Sequence, residues 1–178
     1  MTATSTAVPY TEPWLRGTHT DVPPAARAVI HALELAGDDA KRWTEGMSDL
    51  EIHAQPFGLM SVASQLKHIS GSTDRLLTYA EGAQLSEQQL SAMKKELSGG
   101  ETLEQLLAEL DAALGRAADR VRAIADGDLN TGRKVGRKQL PTTLGGALIH
   151  VADHTQRHIG QLVTTAKVLK GLRASGNS

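Results

Sequence analysis

Cysteine is absent from the 178 residues, and that absence removes three chemistries at once. No disulfide, thiolate metal site or cysteine nucleophile can be built. Any metal must be held by nitrogen or oxygen, and any thiol must arrive from outside. Aromatic residues make up only 3% of the chain, so the core has to be assembled from Leu, Ile, Val and Ala. That set suits packed helices better than β-sheets, whose strands favour aromatic and β-branched side chains. No run approaches the roughly 18 apolar residues of a membrane span. The opening residues carry neither a basic stretch nor an apolar one, so a secretory signal is not expected. The expectation is a cytoplasmic protein without membrane attachment. Lysine and arginine number 19 against 20 acidic residues, which offers no basic footprint for nucleic acid.

What is present reads as all-α: a four-helix bundle with a long crossover and one extra short helix. Residues 1–21, rich in Thr and Pro, are expected as an extended arm, 22–172 as the bundle, and 173–178 as a flexible tail. Pro23 and Pro24 sit where a first helical turn tolerates a missing N–H. The first helix then runs to about Met47, with Ala26, Val29, Ile30, Leu33 and Ala36 at helical spacing. Residues 54–58 read as a turn. A second helix spans about 61–80. Ser86 and Gln89 form a capping-box pattern that opens a short helix to about Leu97, and Ser98 to Glu101 is a break. Thr102 and Gln105 repeat the pattern for the third helix, which ends near Asp126. Residues 127–140 are the longest irregular stretch, with room for a brief hairpin. The fourth long helix starts after Pro141, capped by Thr142 or Thr143, and reaches about Gly171.

The strongest chemical signal lies in that last helix. His150, His154 and His158 follow one another at four-residue intervals. Residues i and i+4 are neighbours on a helix, so an adjacent pair can share one metal ion. Each such step drifts about 40° around the axis, which strains any attempt to use all three. A mononuclear site therefore needs two of these histidines and further ligands from elsewhere. On the second helix Ser61, Gln65, His68, Ser72, Arg75 and Tyr79 form one polar stripe, and His150, His154, His158, Gln161 and Thr165 form another. If the two stripes meet, His68 completes a three-histidine set with His154 and His158; spacing alone leaves that open.

The segments from Gln65 through His68 to Arg75, and from His150 to Gln161 with its H-x-x-x-H-x-G-Q ending, resemble the DinB-like superfamily. That group includes mycothiol-dependent maleylpyruvate isomerases and bacillithiol transferases. The likeness runs from about residue 24 to 171. It implies a four-helix bundle with a divalent metal held by His68, His154 and His158, and makes a homodimer an expectation. Many members carry Arg before the Gly-Gln pair, where this chain has Ile159, so no arginine role is carried over there. All-histidine ligation suits Zn, Ni, Fe or Cu, with Zn or Ni expected first, then Fe or Mn.

The other polar residues have plainer readings beside the chemical one. His19, His31 and His53 read as core or rim histidines, since none has an evident ligand companion in the sequence. His150 reads as a residue one turn short of the site, and Asp153 points about 100° away from His154. Gln161, Arg75 and Tyr79 are the candidate catalytic residues, each with a bridging, salt-bridge or rim role as its plain alternative. Four positive charges within residues 133–138 read as a solvated loop, or as a collector of an anionic thiol or carboxylate.

A catalytic reading follows: a divalent ion activates water or a low-molecular-weight thiol cosubstrate for transfer, isomerisation or hydrolysis of a small electrophile. The alternatives are a non-catalytic metal-binding stress-response bundle and a dimeric interaction module.

Overall fold

The computed structural model describes residues 10–96 and 99–176. Six helices and one hairpin appear among them: α1 (Pro24–Thr44), α2 (Asp49–His53), α3 (Val62–Ala80), α4 (Glu87–Lys95), α5 (Leu103–Ala123), β1 (Gly132–Val135), β2 (Leu140–Thr143) and α6 (Leu144–Gly176). The molecule is essentially all-α.

The helix starts sit where the hydroxyl side chains place them. Ser61 Oγ accepts from Ser64 N at 3.1 Å at the head of α3. Reciprocal capping boxes of Ser86 with Gln89 and Thr102 with Gln105 open α4 and α5. Each box satisfies two backbone donors that a helix end leaves unpaired. The same device at Ser48 and Glu51 opens the five-residue α2, a second short helix beyond the one expected. The end of the chain differs as well. Helix α6 continues to Gly176 through most of the expected tail, and Arg173 Nη1 donates to Gly46 O at 3.0 Å.

The four long helices close into a ring in which α1 packs on α6, α6 on α3, α3 on α5 and α5 on α1. Ile30, Leu33, Leu66, Ile69, Leu106, Leu110, Leu148 and Leu162 are fully buried between them. Burying each such side chain contributes about 1.5–3 kcal/mol, which is what holds the ring shut. Almost no aromatic residue takes part, as the composition required.

Residues 10–21, part of the stretch 1–21 expected as an extended arm, carry a 3-10 turn at Pro13–Leu15 and fold back along α1. Arg16 Nη2 bonds Asp38 Oδ2 at 2.6 Å, and Pro13 and Val22 are buried. Residues 1–9, Leu97, Ser98 and the last two residues of the expected tail lie outside the described set.

The crossover before α6 contains the antiparallel hairpin, with Arg133 opposite Thr142 and Val135 opposite Leu140. Arg133 Nε donates to Ala80 O at 2.5 Å, so this basic strand caps the C-terminal end of α3. Ala80 is twelve residues, or about 18 Å of helix rise, beyond His68. Arg133 is thus held about 18 Å along α3 from His68.

Candidate metal centre

Helices α3 and α6 lie side by side with their polar stripes facing, because the apolar residues flanking each stripe are drawn into the core. Leu66, Ile69 and Leu77 do this for α3, and Val151, Ile159 and Leu162 for α6. The juxtaposition brings His68, His154 and His158 together, with one ligand atom from each within 4.8 Å of the others. Ring centroids are 4.3 Å apart for His68 and His158, 4.5 Å for His154 and His158, and 5.4 Å for His68 and His154.

The partners of these rings determine which nitrogen is free. His158 Nδ1 lies 2.9 Å from Gln65 Oε1, and Gln65 Nε2 donates to Gln161 Oε1 at 3.1 Å. The amide oxygen can only accept, so His158 carries its hydrogen on Nδ1 and keeps a lone pair on Nε2. His68 Nδ1 lies 3.0 Å from Glu96 Oε2, and the carboxylate enforces the same arrangement. An outer partner that fixes the imidazole tautomer is the usual companion of a metal-binding histidine. The third ring lacks such a partner: His154 Nδ1 is buried with no hydrogen bond. A buried, unpaired ring nitrogen is costly in a bare protein, and a cation bound to it beside the two free lone pairs would relieve that cost. The donor set therefore fits a divalent metal.

Electrostatics agree. Burial, followed by the neighbouring His158 and His68, pushes the His154 pKa down to about 4. Burial and His68 likewise lower that of His158. Both rings are held toward the neutral form that a metal requires. Burial alone would raise the Glu96 carboxyl, but hydrogen bonds from His68 and Arg75 outweigh it and the net shift is downward.

The remaining sequence candidates fall in different places. His150 is exposed and paired with Asp153 at 2.8 Å, outside the three-histidine group. Gln161 joins the chain that reaches His158 through Gln65. Arg75, buried to 8% exposure, is engaged by Glu96. Tyr79 is half-buried, about 16 Å of helix rise past His68, and joins neither group. His53 bonds Glu101 O at 2.9 Å.

Sequence reasoning missed Glu96, which follows α4 in the connection to α5 and has no local signal. The space it enters is provided by Gly71, where a Cβ would collide with Glu96 Oε1 and lie 2.8 Å from Arg75 Nη1. It also missed that His19 and His31 have company. Together with Glu34 they form a second group whose ligand atoms lie within 4.8 Å of one another. The H-x-x-E spacing of His31 and Glu34 was the available clue.

The sequence profile of the DinB superfamily matches residues 32–162, well over half of the chain. The chain belongs to the DinB superfamily. No curated protein matches it. DinB proteins generally bind a metal, and the matched region contains His68, His154 and His158 but neither His19 nor His31. Among the described residues no helix is long and apolar enough to cross a membrane.

Proposed function

We propose that this DinB protein is a metal-dependent enzyme whose divalent cation is held by His68, His154 and His158. The observation that carries the reading is the pair of outer hydrogen bonds, Gln65 to His158 and Glu96 to His68, which leave Nε2 of both rings free. Three protein ligands are also the number typical of catalytic rather than structural zinc sites. When bound, such an ion lowers the pKa of a coordinated water or thiol and polarises an electrophile.

The protein's own residues supply position and access. A cavity of about 450 Å³ is lined by Gln65, Arg157, Gly160, Gln161 and Thr164, so it shares two residues with the chain that orients His158. Its size suits a small substrate. Arg157, at 3.5 Å from Asp153, gives the rim a cation for a carboxylate or other anionic group. Gln161 keeps its amide N–H groups for the substrate while its oxygen accepts from Gln65. Arg75 acts indirectly, by holding Glu96 against His68. The chain has no cysteine, so a thiol reaction needs a low-molecular-weight thiol as cosubstrate.

The test is elemental mass spectrometry on protein purified without a histidine tag, followed by turnover of small electrophiles with and without added thiol. Metal lost in His154→Ala and His158→Ala, together with thiol-dependent turnover, upholds thiol transfer or isomerisation. Equal turnover without thiol supports hydrolysis. Metal binding without turnover leaves a non-catalytic metal-binding bundle, and no metal at this set in the wild type overturns the reading.

A further inference from the structure

The geometry points to a second divalent-cation site, formed by His19, His31 and Glu34, that pins residues 10–22 to α1. His31 and Glu34 stand three residues apart on α1, on neighbouring positions of the helix surface. His19 reaches them from the folded-back segment. His19 Nε2 lies 2.6 Å from Glu34 Oε1, and the His19 and His31 rings are 5.5 Å apart. Glu34 Oε2 is buried and has no hydrogen-bond partner. An ionised oxygen removed from water without a donor calls for a cation. His19 also holds a φ of 58°, a left-handed conformation that L-residues other than Asn, Asp and His seldom adopt. Two imidazoles and one carboxylate are the donor set of Zn(II) and of non-haem Fe(II) sites.

Arg122 sets the strength of this site. Its Nη2 lies 2.5 Å from His19 Nδ1, and a guanidinium can only donate. In the metal-free protein His19 therefore carries its hydrogen on Nε2, facing Glu34. A cation on Nε2 takes the place of that hydrogen, which moves to Nδ1, and no net proton is released. Arg122 must then let go, and Asp21 Oδ2, 3.7 Å from its Nη1, is there to receive it. Arg122 thus competes with the metal, and the site binds more weakly than the α3–α6 set.

The experiment uses the full chain carrying His154→Ala and His158→Ala, so that the α3–α6 set is disabled. Zn(II) binding is read by elemental mass spectrometry after desalting and by competition with a chromophoric chelator, and Co(II) absorption reports the ligands. One ion per chain is expected to remain, to be lost with Glu34→Gln, and to bind about tenfold tighter with Arg122→Gln, the equivalent of one charged hydrogen bond. Zn(II) should also slow trypsin cleavage after Arg16 in the double variant and not in its Glu34→Gln derivative. Glu34→Gln and Arg122→Gln preserve side-chain size, and circular dichroism checks that both fold. No Zn(II) in the double variant, or Zn(II) unaffected by Glu34→Gln, overturns the second site. Wild type with one ion that vanishes in the double variant upholds the α3–α6 set and overturns this one; the reverse pattern does the opposite.

Discussion

Both histidine clusters bring their ligand atoms within 4.8 Å of one another, yet they are held in different ways. At the α3–α6 seam, Gln65 and Glu96 bond the outer nitrogens of His158 and His68 and leave Nε2 of each unused. Beside α1, the partners lie on the inner side: His19 points its Nε2 at Glu34, and Arg122 occupies the nitrogen that would have to take the hydrogen. The reorganisation needed to admit a cation is thus small in one cluster and substantial in the other. What separates the proposed α3–α6 site from the proposed site beside α1 is the set of neighbours one bond further out.

The largest effect should come from removing a ligand at the prepared seam. His158→Ala is expected to weaken Zn(II) affinity by more than the roughly 100-fold that bounds an outer partner's contribution. A chelator-competition titration reads this directly. A smaller loss there would erase the distinction between the two clusters.

Next come the outer partners themselves. Glu96→Gln and Gln65→Leu should each weaken Zn(II) about 10- to 100-fold, with one ion still bound per chain at saturating metal. Glu96→Gln should also lower the melting temperature, because Arg75 is only 8% exposed and loses its countercharge. Gly71→Ala probes the same carboxylate more gently. A methyl group there pushes the Glu96 side chain aside, and the affinity should fall by less than with Glu96→Gln. An unchanged affinity in Glu96→Gln and Gly71→Ala would make Glu96 a partner of Arg75 alone.

The smallest effect concerns pH. In the unfolded chain His154 takes up a proton near its ordinary pKa of 6.5, whereas in the folded protein it does so only near 4. Between those values unfolding binds a proton, so the metal-free protein should lose stability as pH falls from 6.5 toward 4. Urea midpoints measured across that window should slope downward, and His154→Gln should flatten the slope. The ring is partly open to solvent, which keeps the effect modest. An identical slope in the variant would place the proton uptake elsewhere.

Much of this was legible along the chain. Ser61, Ser86 and Thr102 announce their helices because a hydroxyl at an N-cap acts on backbone only two or three residues away. His154 and His158 announce a shared face for the same local reason. The strip from Gln65 to Arg75 was visible as a stripe, but its division of labour was not. Gln65 serves His158 across the seam, and Arg75 serves Glu96. The same limit explains why His19 was read as solitary. Its companions lie twelve and fifteen residues ahead, and only the folding back of residues 10–22 closes the gap. The basic stretch around Arg133 shows the converse case, where charge suggested a solvated loop or an anion collector and packing made Arg133 a cap for α3 while Lys134, Arg137 and Lys138 stay exposed.

By itself the sequence determined the four long helices, their apolar faces and the alignment of His154 with His158, because helix geometry is the same wherever the helix is placed. Tertiary structure alone decided which nitrogen of the His158 and His68 rings is free. That choice is made by an amide from α3 and a carboxylate beyond α4, and a tautomer follows whatever acceptor the fold sets within hydrogen-bonding distance.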